Sequence, residues 1–259
     1  MNWTEKELNL LDSEEDTDTD KTILAMLWVI HDKRDAMLDE LAKFFGKYAT
    51  DGKITLSEAK KWVGEGDRRQ RITILNQFID ELFDSTHEEL SNYFLVMLSD
   101  IVARENEFFG TEAPLEPVID NRWGDDEQNW RDRLDKDVQL WKAKTKKEVK
   151  HAFVVGLTLN ELLKVIRKQW KSIDNVTSGL AMTEASHAVT SVKKAIFLLL
   201  GFEGFKYFAQ MDERTCEICG GMHGLVFPMS QWEVGVTTPP MHPRCRCRAR
   251  PIFRLKEDE

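Results

Sequence analysis

The sequence predicts a mostly α-helical protein, with an elongated multi-helix body followed by a small C-terminal module of β-hairpin and loops. Three observations predict this class. Apolar residues recur at steps of three and four from Lys21 to Gly201. That stretch shows almost no alternating strand pattern. After Gly204, five of the seven prolines and all four cysteines crowd the chain, which excludes a long helix there.

The N-terminal region divides into two predicted parts. Asp12–Asp20 contains no apolar residue and cannot bury surface to offset its ordering entropy, so residues 1–20 are expected to form an acidic flexible arm. Residues 21–110 form the N-terminal helical region. Breaks are expected at Thr50–Lys53 and Gly64–Asp67, where Gly and Asp interrupt the helical pattern.

A second helical region is predicted over residues 122–204, after a break that contains Pro114 and Pro117. Within it, Thr158 is expected to cap a helix over 159–170, and a turn-rich gap is expected at 173–179. Five tryptophans are interpreted as core or interface anchors rather than as a base-stacking platform: Trp62, Trp123, Trp130, Trp141 and Trp170.

The remaining domain, residues 205–259, is the C-terminal module. Phe205–Ala209 and Leu225–Phe227 are predicted as two short strands. The module is too small and too rich in proline to be held by a core of its own, so something else must stabilise it.

Charge is distributed unevenly along the chain. A net charge of −9 argues against a general nucleic-acid coat, which needs basic surface. Residues 1–20 hold eight acids and one Lys, whereas residues 240–254 hold five Arg and no acid, which suggests two different neighbours. The chain shows no secretory signal and no membrane-spanning run, so we expect a protein made in a cytosol without membrane contact.

The cysteines indicate a metal site. Cys216-x2-Cys219 is followed, after 22 residues, by His242-x2-Cys245-x-Cys247. Their clustering in a cytosolic chain favours a metal over disulfides or unliganded thiols, and thiolate with imidazole favours Zn²⁺. Five candidates compete for four places, as four Cys or with His242 in place of Cys247. Because four protein ligands leave no position for water, we expect a structural zinc and no enzyme.

Arginines lie before, between and after the cysteines in the second half of this motif. Arg244 precedes Cys245, and Arg246, Arg248 and Arg250 alternate so that an extended strand would place them on one face. Such a stripe suits nucleic-acid phosphate or an acidic partner surface. The alternative is a solvated strand edge protected by charge.

With these residues, the sequence resembles the phage minor head proteins, a head-morphogenesis family with a Mu F-like C-terminal motif. The resemblance rests on D-x-R-T-C-x2-C from Asp212 and on P-P-x-H-P-x-C-R-C from Pro239. Upstream, Trp130-x-Asp132-Arg133 and Thr183-Glu184 also have counterparts. Met182 departs from the Arg that is common in the family before Thr-Glu, which leaves the partner of Glu184 open, with Arg214 or another C-terminal Arg expected.

The resemblance implies a structural virion protein that joins the procapsid through the portal. Its expected partners are the portal protein and scaffold or major capsid protein, with double-stranded DNA contact through the Arg stripe. It would be assembled in the host cytoplasm and end inside the head, acting in head morphogenesis and in DNA packaging or ejection. The alternative is a zinc-supported DNA-binding protein or a nuclease- or toxin-type enzyme.

Overall fold

A computed structural model describes residues 3–64 and 66–255 and confirms the mostly helical class. The helices are α1 (Glu5–Tyr48), α2 (Leu56–Ala59), α3 (Arg71–Phe109), α4 (Glu116–Ile119), α5 (Trp130–Val155), α6 (Leu159–Leu199) and α7 (Glu217–Met222). The strands are β1 (Trp62–Gly64), β2 (Asp67–Gln70), β3 (Gly204–Phe208), β4 (Val226–Pro228) and β5 (Arg248–Ile252). Among the described residues, no helix is long and apolar enough to cross a membrane.

Helix α1 begins much earlier than the sequence indicates. Thr4 and Glu7 form a reciprocal capping box, in which Thr4 N donates to Glu7 Oε2 (2.7 Å) and Glu7 N donates to Thr4 Oγ1 (3.3 Å). From Glu5 the helix runs without interruption through the acidic segment, where Leu11 and Glu15 are buried. The prediction of a flexible arm is therefore wrong. Tertiary contacts provide the buried surface that the local composition lacks.

Helix α6 is also longer than predicted. The expected gap at 173–179 is wrong: α6 is continuous there, and Ile173 and Thr177 are buried on one of its faces. The predicted cap is confirmed, since Thr158 N donates to Glu161 Oε2 (2.8 Å) and Glu161 N donates back to Thr158 Oγ1 (3.4 Å).

The C-terminal module contains a three-stranded antiparallel sheet in the order β4-β3-β5. Both predicted strands are present, displaced by about one residue. β5 pairs with β3 so that Phe208 faces Arg248 in register. A separate two-stranded hairpin, β1–β2, lies where the sequence indicates only a break.

The chain divides into two compact units that do not coincide with the sequential regions expected above. Unit 1 consists of residues 1–24, 93–133 and 178–259, and unit 2 of residues 25–92 and 134–177. In unit 1, Phe94 stacks on Trp130 with ring centroids 5.4 Å apart. In unit 2, Phe83 stacks on Trp170 at 5.5 Å.

Candidate metal centre and the ionic cluster of unit 1

The five predicted ligands come together in unit 1. Cys216 is the N-cap of α7 and Cys219 lies in its first turn, so that Cys219 N donates to Cys216 Sγ (3.4 Å). His242 and Cys245 lie in the loop before β5, and Cys247 immediately precedes that strand. All four cysteines are free thiols.

The side-chain donors form two groups of three, each compact enough to hold a metal ion. Cys216, Cys219 and His242 lie within 4.8 Å of one another, as do Cys219, Cys245 and Cys247. Cys219 Sγ is 3.4 Å from His242 Nε2 and 3.9 Å from Cys245 Sγ. Tetrahedral Zn–S bonds of about 2.3 Å place neighbouring donors ~3.8 Å apart. Both groups could therefore hold a metal ion, and Cys219 belongs to each.

The thiols differ in how readily they ionise. The pKa of Cys245 is lowered to about 5, chiefly because it accepts a hydrogen bond from the Cys247 thiol. Burial raises the pKa of Cys219 to about 11. A bound cation would favour the thiolate at each ligand and so oppose the effect of burial at Cys219.

Tyr207 is a site residue that the sequence does not reveal. It is fully buried in the central strand β3, and its hydroxyl donates to Cys219 Sγ (3.3 Å). A hydrogen bond to a ligand sulfur orients it and stabilises its thiolate. An aromatic residue in a predicted strand is too common a signal to indicate this role.

The four arginines predicted to contact nucleic acid or a partner are not presented as expected. Arg246 makes a bidentate pair with Asp212 (2.7 Å to each oxygen), and Arg244 N donates to Thr183 Oγ1 (3.0 Å). Arg248 and Arg250 are only 6% and 4% exposed. The expectation that these two contact nucleic acid or a partner is corrected, because the rest of unit 1 covers them.

What covers them is the acidic N-terminal part of α1. Arg248 Nη2 lies 2.5 Å from Asp16 Oδ1, and Arg250 Nη2 lies 2.8 Å from Asp12 Oδ2 and 2.6 Å from Asn9 Oδ1. Although burial lowers the pKa of Arg248, the nearby carboxylates outweigh it and raise that pKa above its ordinary value. The acidic residues near the start of α1 and the arginines of β5 are thus each other's neighbours.

Lys193 and Glu105 extend this ionic cluster into the core. Lys193 Nζ lies 3.0 Å from Glu105 Oε1 and 3.4 Å from Asp12 Oδ1, and both Lys193 and Glu105 are almost completely buried. Burial raises the pKa of Glu105 well above its ordinary value, and the nearby Glu15 raises it further. Its buried neighbour Lys193 lowers that pKa but does not reverse the shift.

Part of the chain matches a known protein family. Residues 143–250 match the model of the family described as Phage Mu protein F like protein. This part of the chain is similar to that family. The match supports the assignment to phage head morphogenesis indicated by the C-terminal motif. No curated protein and no solved structure matches the chain.

The F-like region includes Tyr207, all five candidate ligands and Arg250, but not the acids of α1. The candidate metal centre therefore consists only of residues from the F-like region. The ionic cluster joins that region to residues outside it, since Asp12 and Asp16 lie far upstream of residue 143.

The partner of Glu184, a residue of the F-like region, is Arg133. Arg133 Nη1 lies 2.6 Å from Glu184 Oε1, and Trp123 Nε1 donates to Glu184 Oε2 (3.2 Å). The expected partner Arg214 is not the one observed. Trp123 also stacks on His187 with ring centroids 4.4 Å apart. Arg133 of the upstream motif is thus in tertiary contact with Glu184 of the Thr-Glu motif.

Proposed function

We propose that this protein is a minor head protein that associates with the portal, is enclosed in the phage head and acts in its morphogenesis. The match of residues 143–250 to the Phage Mu protein F like family carries the proposal. The region matched contains the whole candidate metal centre. A non-enzymatic role is proposed with it, in which the helices provide contacts for the portal and for scaffold or major capsid protein.

The ion proposed for the centre is Zn²⁺, with a structural role. Its support is the donor chemistry, either four thiolates or three thiolates and the His242 imidazole, together with the spacing around Cys219. Bound there, zinc would tie α7 to the loop that precedes β5. A structural zinc can contribute on the order of 10 kcal/mol to folding, which suits a module with a short sheet and many prolines.

Co-expression with portal protein tests the head assignment. The tagged chain is expected to co-purify with its cognate portal, and mass spectrometry of purified heads is expected to find it among the packaged proteins. Parallel pull-downs with scaffold and with major capsid protein identify the partner. Absence from purified heads together with failure to retain any of the three proteins would refute the assignment.

The enzyme alternative is tested with the zinc-loaded protein. Incubation with DNA and with RNA is expected to leave both intact, since four protein ligands leave zinc no position for a reactive water. Strand cleavage that is lost in Cys219→Ser would overturn the structural role. DNA contact through the arginine stripe is not included in the proposal, because Arg248 and Arg250 are covered by carboxylates.

A further inference from the structure

Residues 43–71 of unit 2 carry a net charge opposite in sign to that of the whole chain. Residues 43–71 contain eight Lys and Arg and four Asp and Glu, which gives a net charge of +4. The other residues together carry −13. The overall acidity therefore hides a local basic surface, which includes the end of α1, helix α2 and the β1–β2 hairpin.

Several cations of this surface form no ion pair in the part of the chain that the structure describes. Lys61 pairs with Glu58 (2.5 Å) and Arg69 with Asp67 (2.6 Å). Lys47, Lys60 and Arg68 are exposed, and none of them forms an ion pair with a carboxylate within the described ranges. These three side chains keep their charge available to a ligand.

Specific contacts hold the basic elements together. Arg71 N donates to the carbonyl oxygen of Lys61 (3.0 Å), and the Arg71 guanidinium lies over the ring of Tyr48 at 4.3 Å. Its Nη1 also lies 3.3 Å from Glu58 Oε2. Lys47 approaches the same Tyr48 ring at 5.2 Å. The end of α1, helix α2 and the start of α3 therefore meet around Arg71.

Trp62 differs in exposure from other tryptophans expected to anchor a core or an interface. Trp130, Trp141 and Trp170 are buried, whereas Trp62 is 62% exposed. It lies on β1 opposite Gln70 of β2, on the hairpin that also carries Arg68. An indole so exposed offers a face on which an unpaired base can stack.

We propose that Lys47, Lys60, Trp62 and Arg68 form a binding surface for single-stranded nucleic acid. The cations contact phosphates and Trp62 stacks on one base. A single strand joins a base to every phosphate, so one ligand satisfies both features. A duplex keeps its bases stacked internally, and an acidic protein surface would engage only the cations. The proposal rests on neither the head role nor the metal centre.

Fluorescence anisotropy with the full chain and a short labelled oligothymidylate tests the proposal, with a matched duplex as a second probe. The single strand is expected to bind more tightly than the duplex. Trp62→Ala should weaken single-strand binding about tenfold, since stacking of one base is lost. Trp62→Phe should recover most of that loss, because it retains an aromatic face.

The cations are tested by salt dependence. Log affinity decreases with log salt between about 50 mM and 200 mM. The double variant Lys60→Gln/Arg68→Gln should make this negative slope shallower by about 1.4, because two phosphate contacts are removed. Matched controls come from exposed residues elsewhere in unit 2: Trp28→Ala on α1 and Lys168→Gln/Lys171→Gln on α6. Both controls should bind as the unaltered protein does.

Three results would overturn the proposal. One is no detectable single-strand binding at the lower salt concentration. Another is equal affinity of Trp62→Ala and Trp28→Ala for the single strand. The third is displacement of the oligonucleotide by polyglutamate at equal charge concentration, with no dependence on Trp62, which would identify an acidic protein as the ligand. Circular dichroism of each variant establishes that it is folded.

Discussion

The two compact units bury different chemistry. In unit 1 the buried polar side chains include seven ionisable ones within the described residues: Glu15, Glu105, Glu184, His187, Lys193, Arg248 and Arg250. In unit 2 the buried polar side chains described are all neutral: Thr86, Thr145, Gln169 and Thr177. Unit 1 thus combines matched buried charges with a candidate metal centre, whereas the described buried side chains of unit 2 are apolar or neutral.

In unit 2, a buried glutamine forms hydrogen bonds with neutral groups. Gln169 Nε2 donates to Thr145 Oγ1 (2.7 Å) and to the carbonyl oxygen of Trp141 (3.1 Å). Phe83 and Trp170 are also fully buried in this unit. Such contacts do not change with pH, so the stability of unit 2 should be less sensitive to pH and salt than that of unit 1.

Removal of the metal should have the largest effect on stability. It should destabilise unit 1 and leave unit 2 unchanged. Chelation or Cys219→Ser is expected to remove on the order of 10 kcal/mol of metal-binding free energy, leaving β3 and α7 unprotected. Hydrogen exchange should show lost protection there and unchanged protection in the α3 segment of unit 2. Equal protection with and without metal would contradict a stabilising zinc.

The fourth ligand is identified by a matched pair of variants. Cys247→Ser and His242→Asn each remove one of the two competing donors. The residue that is a ligand should release zinc on substitution, whereas the other variant should retain one zinc per chain by elemental analysis.

Breaking the ionic cluster should have the next largest effect. Arg248→Ala leaves Asp16 and Glu15 without their buried partner and should lower the free energy of unfolding by about 3–5 kcal/mol. Arg167→Ala, at an exposed position on the unit 2 part of α6, should change it by less than about 0.5 kcal/mol. Urea unfolding measures both free energies. Similar decreases for the two variants would mean that the ionic cluster does not stabilise unit 1.

Acid should weaken unit 1 through His187. Burial, with a smaller contribution from Arg133, lowers the pKa of His187 from 6.5 to about 3. The folded protein thus binds fewer protons than the unfolded chain between these values. Its stabilising contribution is present above pH 6.5 and is lost as the pH falls towards 3, by at most ~1.4 kcal/mol per pH unit.

His187→Gln should remove this pH dependence from urea-unfolding data, whereas His151→Gln, at an exposed position of unit 2, should leave it intact. Identical slopes for the two variants would show that His187 is not the group responsible.

The smallest effect is expected at the α6 cap in unit 2. Thr158→Ala removes one side of the capping box with Glu161 and should cost ~1 kcal/mol, independent of metal. Ser172→Ala, at an exposed position inside α6, should have almost no effect. A metal-dependent loss for Thr158→Ala would contradict the assignment of this cap to a metal-independent unit.

Features encoded by neighbouring residues could be predicted. The cap at Thr158 and strand β3 follow from local periodicity and side-chain chemistry. The five candidate ligands follow from spacing, because C-x2-C and H-x2-C-x-C each bring donors together within a few residues. The continuity of α6 through 173–179 could not be predicted in this way, since burial of Ile173 and Thr177 offsets the turn propensity of that segment.

The sequence by itself determined the helical body, the candidate metal-ligating motif and the presence of opposite charge in residues 1–20 and 240–254. Only the tertiary structure decided that those two segments meet. Asp16 and Arg248 are 232 residues apart, and no local pattern reports a contact of that range. An acidic segment has too little apolar surface to order itself, but it becomes a helix when buried arginines and a lysine balance its carboxylates.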